Sequence, residues 1–218
     1  PSGADELHYY VTNLAPIGEA PAWANSINNF GWVAGQSRLT GGAVQRATLW
    51  RPGSATGRDL GTLGGIHSSV LWPVKNVRGV ISGIAETGDL DPLGERWSCS
   101  RFFPVRTGLV CRGFVWRDGK MRALPTFGGP NGFATGTNNF LQTVGWAESA
   151  LLDPTCSAVD EQYRQFRAVL WGPGRNQLRQ LPPLPGHAAS AATAINDRGQ
   201  VVGVGKLISE SYAGSKVT

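Results

Sequence analysis

The sequence predicts an all-β fold made of repeated four-stranded antiparallel units. Three observations support this prediction. With 30 Gly and 14 Pro among 218 residues and only 16% charged residues, the chain is dense in turns, since an average domain carries about 25% charged residues. No window places apolar residues at helical spacing over three turns. Finally, a short frame of residues occurs four times along the chain.

The recurring frame joins an Asn to a Gly seven positions later through a polar turn. Its copies are "SINNFGWVAG" (26–35), "PVKNVRGVISG" (73–83), "GTNNFLQTVG" (136–145) and "AINDRGQVVG" (194–203). An Asn at the first turn position accepts backbone hydrogen bonds, and a Gly at the fourth adopts a positive φ at little cost. Leu141 stands at this fourth position in the third copy. We therefore expect that turn to be strained or of another type.

Two further frames follow the first three copies. One ends on a tryptophan, in "RATLW" (46–50), "RGFVW" (112–116) and "RAVLW" (167–171). The other reads "GRDLGTLGG" (57–65), "KMRALPTFGG" (120–129) and "QLRQLPPLPG" (177–186), and the opening "HYYVTNLAPIG" (8–18) is similar to it. Each repeat is thus predicted to hold four strands: one into the Asn, one after the turn, one ending on the Trp, and one in the last frame.

Four-stranded units of this size are stable when stacked, and radial stacking gives a β-propeller. We predict one domain over 1–218, with blades at about 20–64, 68–128 and 133–185, a partial blade at 189–218, and 8–17 as an orphan outer strand. Either the ring closes at four blades, or the chain is part of a longer ring. The second interpretation is favoured, with a continued chain or partner fragment completing the propeller.

The pattern resembles the HAF-repeat family of extracellular proteins. The resemblance is carried by "AINDRGQVVG", "LGTLGG" and the three Trp strands, and it extends over nearly the whole chain. Arg46, Arg112 and Arg167 stand where that family often has His. The resemblance implies a propeller-like fold and an exported protein, and it implies no reaction.

Charge and hydropathy exclude some partners. The net charge of +5 comes from arginines spread along the chain, with no basic run and no helix to enter a groove, so nucleic acid is not an expected partner. No apolar stretch approaches the roughly 18 residues that span a bilayer.

Three cysteines, Cys99, Cys111 and Cys156, lie in irregular Gly-rich or Pro-rich segments. A pair that closes a loop suits an oxidising compartment. Pairing of Cys99 with Cys111 and pairing of Cys111 with Cys156 both stay open. We expect an extracellular or periplasmic location.

All variation in repeat length falls between the second and third strands, in segments 85–111 and 147–166. Long loops on one face of a rigid scaffold are typical binding sites. We expect a protein partner or a glycan there. The candidate contacts are Trp97, Arg101, Phe102, Phe103, Arg106, Asp160, Tyr163 and Arg164. The aromatic members are equally compatible with packing against the edge of a blade.

The rival hypothesis is a hydrolase or lyase with a divalent metal at the top of the propeller channel. Glu19, His67 and His187 each stand nine residues before a turn asparagine, and His and Glu are common metal ligands. Asp89 and Asp91 with Glu95 form a weak calcium motif.

The repeated tryptophans and arginines are predicted to be structural. Trp50, Trp116 and Trp171 occupy one position of the repeat, and we expect them to pack between sheets. The arginine four residues before each Trp is expected to bond neighbouring loop carbonyls or acids.

Overall fold

The computed structural model describes residues 9–54, 56–73, 76–154, 161–174 and 177–207. The described chain is all-β, with fourteen strands and one short 3₁₀ helix at Ser100–Phe102. None of its helices is long and apolar enough to cross a membrane. The strands form four antiparallel sheets in which consecutive strands are neighbours. The all-β prediction is therefore confirmed.

The sheets follow one another along the chain. Sheet 1 contains β1 (Glu19–Ile27), β2 (Val33–Arg38), β3 (Gln45–Trp50) and β4 (Arg58–Asp59). Sheet 2 contains β5 (Gly64–Ser69), β6 (Ile81–Leu90), β7 (Leu109–Arg117) and β8 (Lys120–Ala123). Sheet 3 contains β9 (Gly128–Thr137), β10 (Thr143–Leu152), β11 (Arg164–Trp171) and β12 (Leu178–Gln180). Sheet 4 contains β13 (His187–Ile195) and β14 (Val201–Leu207).

The repeated asparagine shapes the turn between the first two strands of every sheet. Its side-chain oxygen accepts two backbone N–H bonds, from Phe30 and Trp32 in the first turn and from Phe140 and Gln142 in the third. Leu141 has a φ of 64°, close to the 72° of Gly31 at the same position. The third turn is therefore of the same kind, and it holds a bulky residue in the strained left-handed region.

The same asparagines also join neighbouring sheets. The side-chain amide of Asn28 donates to the carbonyl of Asn76 at 3.2 Å, and that of Asn76 donates to the carbonyl of Thr137 at 3.2 Å. The amide of Asn138 donates to the carbonyl of Asn196 at 3.0 Å. One residue type thus closes each turn and fixes its position against the turn of the next sheet.

The tryptophans pack as predicted. Trp50, Trp116 and Trp171 are all buried. The indole N–H of Trp50 donates to Ala15 at 2.8 Å, and that of Trp171 donates to Pro125 at 2.8 Å. The carbonyl of Ala15 therefore makes the same contact with the tryptophan of sheet 1 that the carbonyl of Pro125 makes with the tryptophan of sheet 3.

The arginines of the same strands bond neighbouring loops, as expected from the sequence. Arg46 donates to the carbonyl of Ile66 and pairs with Asp59, while Arg112 donates to the hydroxyl of Thr126 at 2.7 Å. Arg167 donates to the carbonyl of Ala188.

Side chains from the first strand of one sheet cover the third strand of the sheet before it. The fourth strands are short, so part of each third strand has no strand neighbour on that side. The following donor and acceptor pairs fill these places: Gln45 N–H to His67 Nδ1 (3.2 Å), Ala47 N–H to Ser68 Oγ (2.9 Å), Cys111 N–H to Asn131 Oδ1 (2.8 Å) and Ala168 N–H to Ser190 Oγ (3.0 Å). We call these acceptors the docking side chains.

Replacement of Asn138 by alanine tests the turn and the bond between sheets together. Asn138 is buried, and its removal leaves the N–H groups of Phe140 and Gln142 without their acceptor. We expect Asn138→Ala to lower the free energy of unfolding by about 2–4 kcal/mol, measured by urea denaturation. Asn196→Ala is the control, because Asn196 is exposed and makes the same turn bonds within its own sheet. Equal losses in the two variants would contradict the role in joining sheets.

Candidate functional site

Two buried glutamates lie at the start of the two long insertions. Glu86 lies in β6 and Glu148 in β10, each ten residues after its turn asparagine. The Glu86 carboxylate accepts the backbone N–H of His67 at 2.8 Å, and the Glu148 carboxylate accepts that of Asn131 at 2.8 Å. Since His67 and Asn131 are docking side chains, each glutamate holds in place a residue that joins two sheets.

The two insertions are bound to each other through Glu95. This carboxylate, in the first insertion, accepts the backbone N–H groups of Tyr163 (2.8 Å) and Arg164 (2.6 Å) in the second. The side-chain amide of Gln162 donates to Glu95 at 3.2 Å and to Glu148 at 3.0 Å. The described parts of the two insertions are therefore linked through a buried polar network.

Burial controls the protonation of this network. It raises the pKa of Glu95 from 4.5 to about 7, with a further contribution from the nearby charge of Glu148. Burial also raises the pKa of Glu148, against hydrogen bonds from Ser98 and Gln162 that lower it. The second oxygen of Glu95 is buried and has no hydrogen-bond partner among the described residues. The hydrogen bonds from the backbone N–H groups of Arg164 and Tyr163 favour the charged form and lower the pKa of Glu95, but the effect of burial is larger.

A disulfide closes the first insertion. Cys99 and Cys111 are bonded, with their Cα atoms 5.2 Å apart and a sequence separation of 12. Of the two pairings that the sequence left open, the structure contains Cys99 with Cys111. Cys156, the alternative partner, lies outside the described residues. Closing a loop of this size contributes roughly 3 kcal/mol in the chain-entropy account.

The aromatic residues of the first insertion face inward. Trp97 stacks on Phe166 with ring centroids 4.7 Å apart, and Phe102 meets the edge of Phe133 at 5.0 Å. Phe103 is buried and stacks on His67 at 5.1 Å. Each of these three side chains thus contacts an aromatic ring of sheet 2 or sheet 3.

Of the polar residues predicted to contact a partner, some are bonded within the protein and others are exposed. Arg106 pairs with Glu161 at 3.2 Å and donates to the carbonyl of Gly94 at 2.8 Å. Arg164 donates to the carbonyl of Ala150 at 2.7 Å, whereas Arg101 and Tyr163 are exposed. Asp160 lies outside the described residues.

The predicted metal ligands lie at the first strands of three different sheets. Glu19 begins β1 beside Gly42, His67 is buried in β5, and His187 begins β13 against Gly205. Burial lowers the pKa of His67, and the nearby Glu86 opposes this in part.

Within the described chain, one group of three potential ligand atoms lies mutually within 4.8 Å: Glu86, Cys99 and Cys111. Its two sulfur atoms are joined in the disulfide. Asp91, of the predicted calcium motif, accepts a bond from the Asn131 amide at 2.8 Å and one from the Glu95 backbone at 3.2 Å. The metal sites predicted from the sequence stay predictions.

Large apolar side chains are exposed around the insertions. Leu90 is 75% exposed, and Leu151 and Leu152 are each 63% exposed. Leu93, Val105 and Tyr163 are further exposed members of the same two segments. Arg96 and Arg106, whose side chains are 54% and 50% exposed, stand among them. We call these eight residues the insertion patch.

The sequence interpretation missed Glu86 and Glu148. A signal was present, because the two segments share an Ala-Glu pair that three residues separate from the repeated Leu-Asp-Pro, in "AETGDLDP" (85–92) and "AESALLDP" (147–154). The corresponding positions in the other two units hold Arg38 and Lys206. Only the two units that carry insertions have an acid at this position. This distribution indicates a role for the acid at the end of the molecule where the insertions lie.

Comparison with known proteins gives no relative: no family model, no curated protein and no solved structure matches the chain.

The raised pKa of Glu95 predicts a pH dependence of stability. Between pH 4.5 and about 7 the folded state keeps a proton that the unfolded state has lost, so the free energy of unfolding falls as pH rises through this range. Glu95→Gln, which keeps an oxygen acceptor, is expected to remove this loss and to be more stable than the native chain at about pH 8, by roughly 2 kcal/mol.

Urea denaturation at about pH 5 and about pH 8 measures this effect. Asp118→Asn, which removes a carboxylate whose side chain is 88% exposed, is the control. The expectation fails if Glu95→Gln keeps the full pH dependence of the native chain.

Proposed function

We propose that this chain is an exported β-propeller module that holds a protein partner on the insertion patch. The observation that carries the proposal is a group of exposed leucines on two segments whose described parts are hydrogen-bonded to each other. Exposed apolar side chains on a rigid surface mark interaction sites, because their burial by a partner costs little conformational entropy. Leu90, Leu151 and Leu152 are in this situation.

The propeller arrangement is supported by how consecutive sheets meet. β5 packs on β3, β9 packs on β6 and β7, and β13 packs on β10 and β11. The first strand of each sheet thus covers the middle of the sheet before it, as blades do around an axis. We propose three full blades and a partial one. Membership of the HAF-repeat family belongs to the same proposal.

The chemistry of the patch favours protein over glycan. Sugar rings are bound by exposed aromatic faces, and Trp97, Phe102 and Phe103 use their faces for internal contacts. Six of the eight patch residues are leucines and arginines, beside Val105 and Tyr163, and this composition fits the apolar centre and charged rim of a protein interface.

Export is supported by the Cys99–Cys111 disulfide, which suits an oxidising compartment.

Site-specific cross-linking tests the proposal. A photoreactive phenylalanine is placed at position 152 in the insertion patch, or at position 140, where Phe140 is 61% exposed at the asparagine-turn end. We expect a defined protein adduct from position 152 in extracts of the producing organism, and none from position 140. The double variant Leu90→Asp, Leu151→Asp should reduce the adduct at least about tenfold, through lost apolar burial.

Phe30→Asp, which changes an exposed aromatic residue at the asparagine-turn end, is the matched control and should leave the adduct unchanged. Equal labelling from both positions would contradict the proposal, as would an adduct that survives the double variant. Binding of a glycan at the patch without any protein adduct would also contradict it.

A further inference from the structure

A groove of about 590 Å³ lies between sheets 2 and 3, beside the insertion patch. All of its wall residues belong to the continuously described segment 76–154. β6 and β7 supply one wall, and the connection from β8 to β9 supplies the other. Asp89, in the first wall, directly precedes Leu90 of the patch. Gly128, in the second wall, pairs with Ser149, two residues before Leu151 of the patch.

Arg112 is the basic residue that lines this groove, and it is half-buried. Its guanidinium donates to the hydroxyl of Thr126 at 2.7 Å. Within the described chain, no acid forms an ion pair with it. Partial burial lowers the pKa of Arg112, and the charges of Glu148 and Asp89 oppose this. A guanidinium that is partly removed from water and lacks an anionic partner is stabilised by a carboxylate in contact with it.

The equivalent arginines of the other two sheets have such acceptors within the protein. Arg46 pairs with the carboxylate of Asp59 at 3.3 Å. Arg167 donates to the side-chain oxygen of Gln165. These two guanidinium groups are therefore already bonded to a side-chain acceptor of their own sheet.

One position of the fourth strand accounts for the difference between sheets 1 and 2. Asp59 lies opposite Thr48 in sheet 1, and Ala123 lies opposite Phe114 in sheet 2. Thr48 and Phe114 each follow the repeated arginine by two residues, so Ala123 occupies the position of Asp59. A methyl group accepts no hydrogen bond. The place of the missing carboxylate is thus part of the groove, because Ala123 lines it.

We propose that the protein partner held on the insertion patch places an acidic side chain in this groove, where its carboxylate pairs with Arg112. This inference rests on the function proposed for the patch. The Thr87 hydroxyl and the Asp89 carboxylate line the same groove and can accept N–H groups of the partner's backbone beside the acidic residue. The net charge of +5 on the chain also favours an acidic partner.

NMR titration of the ¹⁵N-labelled full chain tests the chemistry of the groove. The probe is N-acetyl-L-glutamate N-methylamide, which is one glutamate side chain between two peptide groups, and its neutral glutamine counterpart is the matched ligand. We expect the glutamate probe to shift the Arg112 Nε–H resonance to saturation, and the glutamine probe to bind at least about tenfold more weakly.

A variant that supplies the acid of sheet 1 should close the site. Ala123 is exposed, so Ala123→Asp should leave the circular dichroism and thermal unfolding of the chain unchanged. Its carboxylate should occupy Arg112 and weaken binding of the glutamate probe at least about tenfold. Ala123→Asn has the same size without the charge and should keep the affinity within about threefold. Phe30→Asp, which adds the same charge at the asparagine-turn end, should leave the affinity unchanged.

The protein adduct from position 152 separates failure of this inference from failure of the proposed function. We expect Ala123→Asp to reduce the adduct at least about tenfold and Ala123→Asn to leave it in place. An adduct that is unchanged in Ala123→Asp would overturn the inference alone, and any binding of the probe would then belong to a site for small carboxylates. Absence of an adduct from the native chain would contradict the proposed function and this inference with it. Equal binding of the two probes would overturn the inference whatever the adduct shows.

Discussion

The unpaired edge of each third strand is the constraint on which the structure depends. The third strands are six to nine residues long and the fourth strands two to four, so backbone N–H groups near the start of the third strand lack a strand partner. Buried N–H groups without an acceptor are costly, and an open edge invites association with other chains. The next unit solves both problems, because His67, Ser68, Asn131 and Ser190 reach back to accept these bonds.

The buried glutamates follow from the same constraint. A docking side chain can satisfy the preceding sheet only if its own backbone is fixed, and Glu86 and Glu148 fix it for His67 and Asn131. Burying these acids has an electrostatic cost, seen in the raised pKa values of Glu148 and its neighbour Glu95. The described parts of the insertions cover these acids and carry exposed leucines and arginines. The packing of this end and the binding surface that we propose there therefore share one polar network.

Much of the fold could be predicted from the sequence because its signals are local. The Asn and Gly of each turn, the Trp that ends each third strand and the spacing between them indicate four-stranded units directly. The equivalence of His67 and Asn131 was hidden, because the distance from the Gly-Gly pair to the turn Asn is eleven positions in unit 2 and nine in unit 3. When positions are counted back from the turn Asn, the residue of unit 3 that corresponds to His67 is Gly129, and not Asn131. The inward orientation of Trp97 and Phe102 depends on contacts between insertions, which no local pattern records.

Hydrogen exchange of single backbone amides tests the central claim most directly. The N–H groups of Gln45, Ala47, Cys111 and Ala168 have docking side chains as acceptors. If these side chains close the strand edges, the four amides exchange as slowly as amides paired within the sheets, and Ser68→Ala speeds exchange at Ala47 at least about tenfold while Cys111 stays protected. Fast exchange at all four amides in the native chain, beside slow exchange within the sheets, would contradict the account.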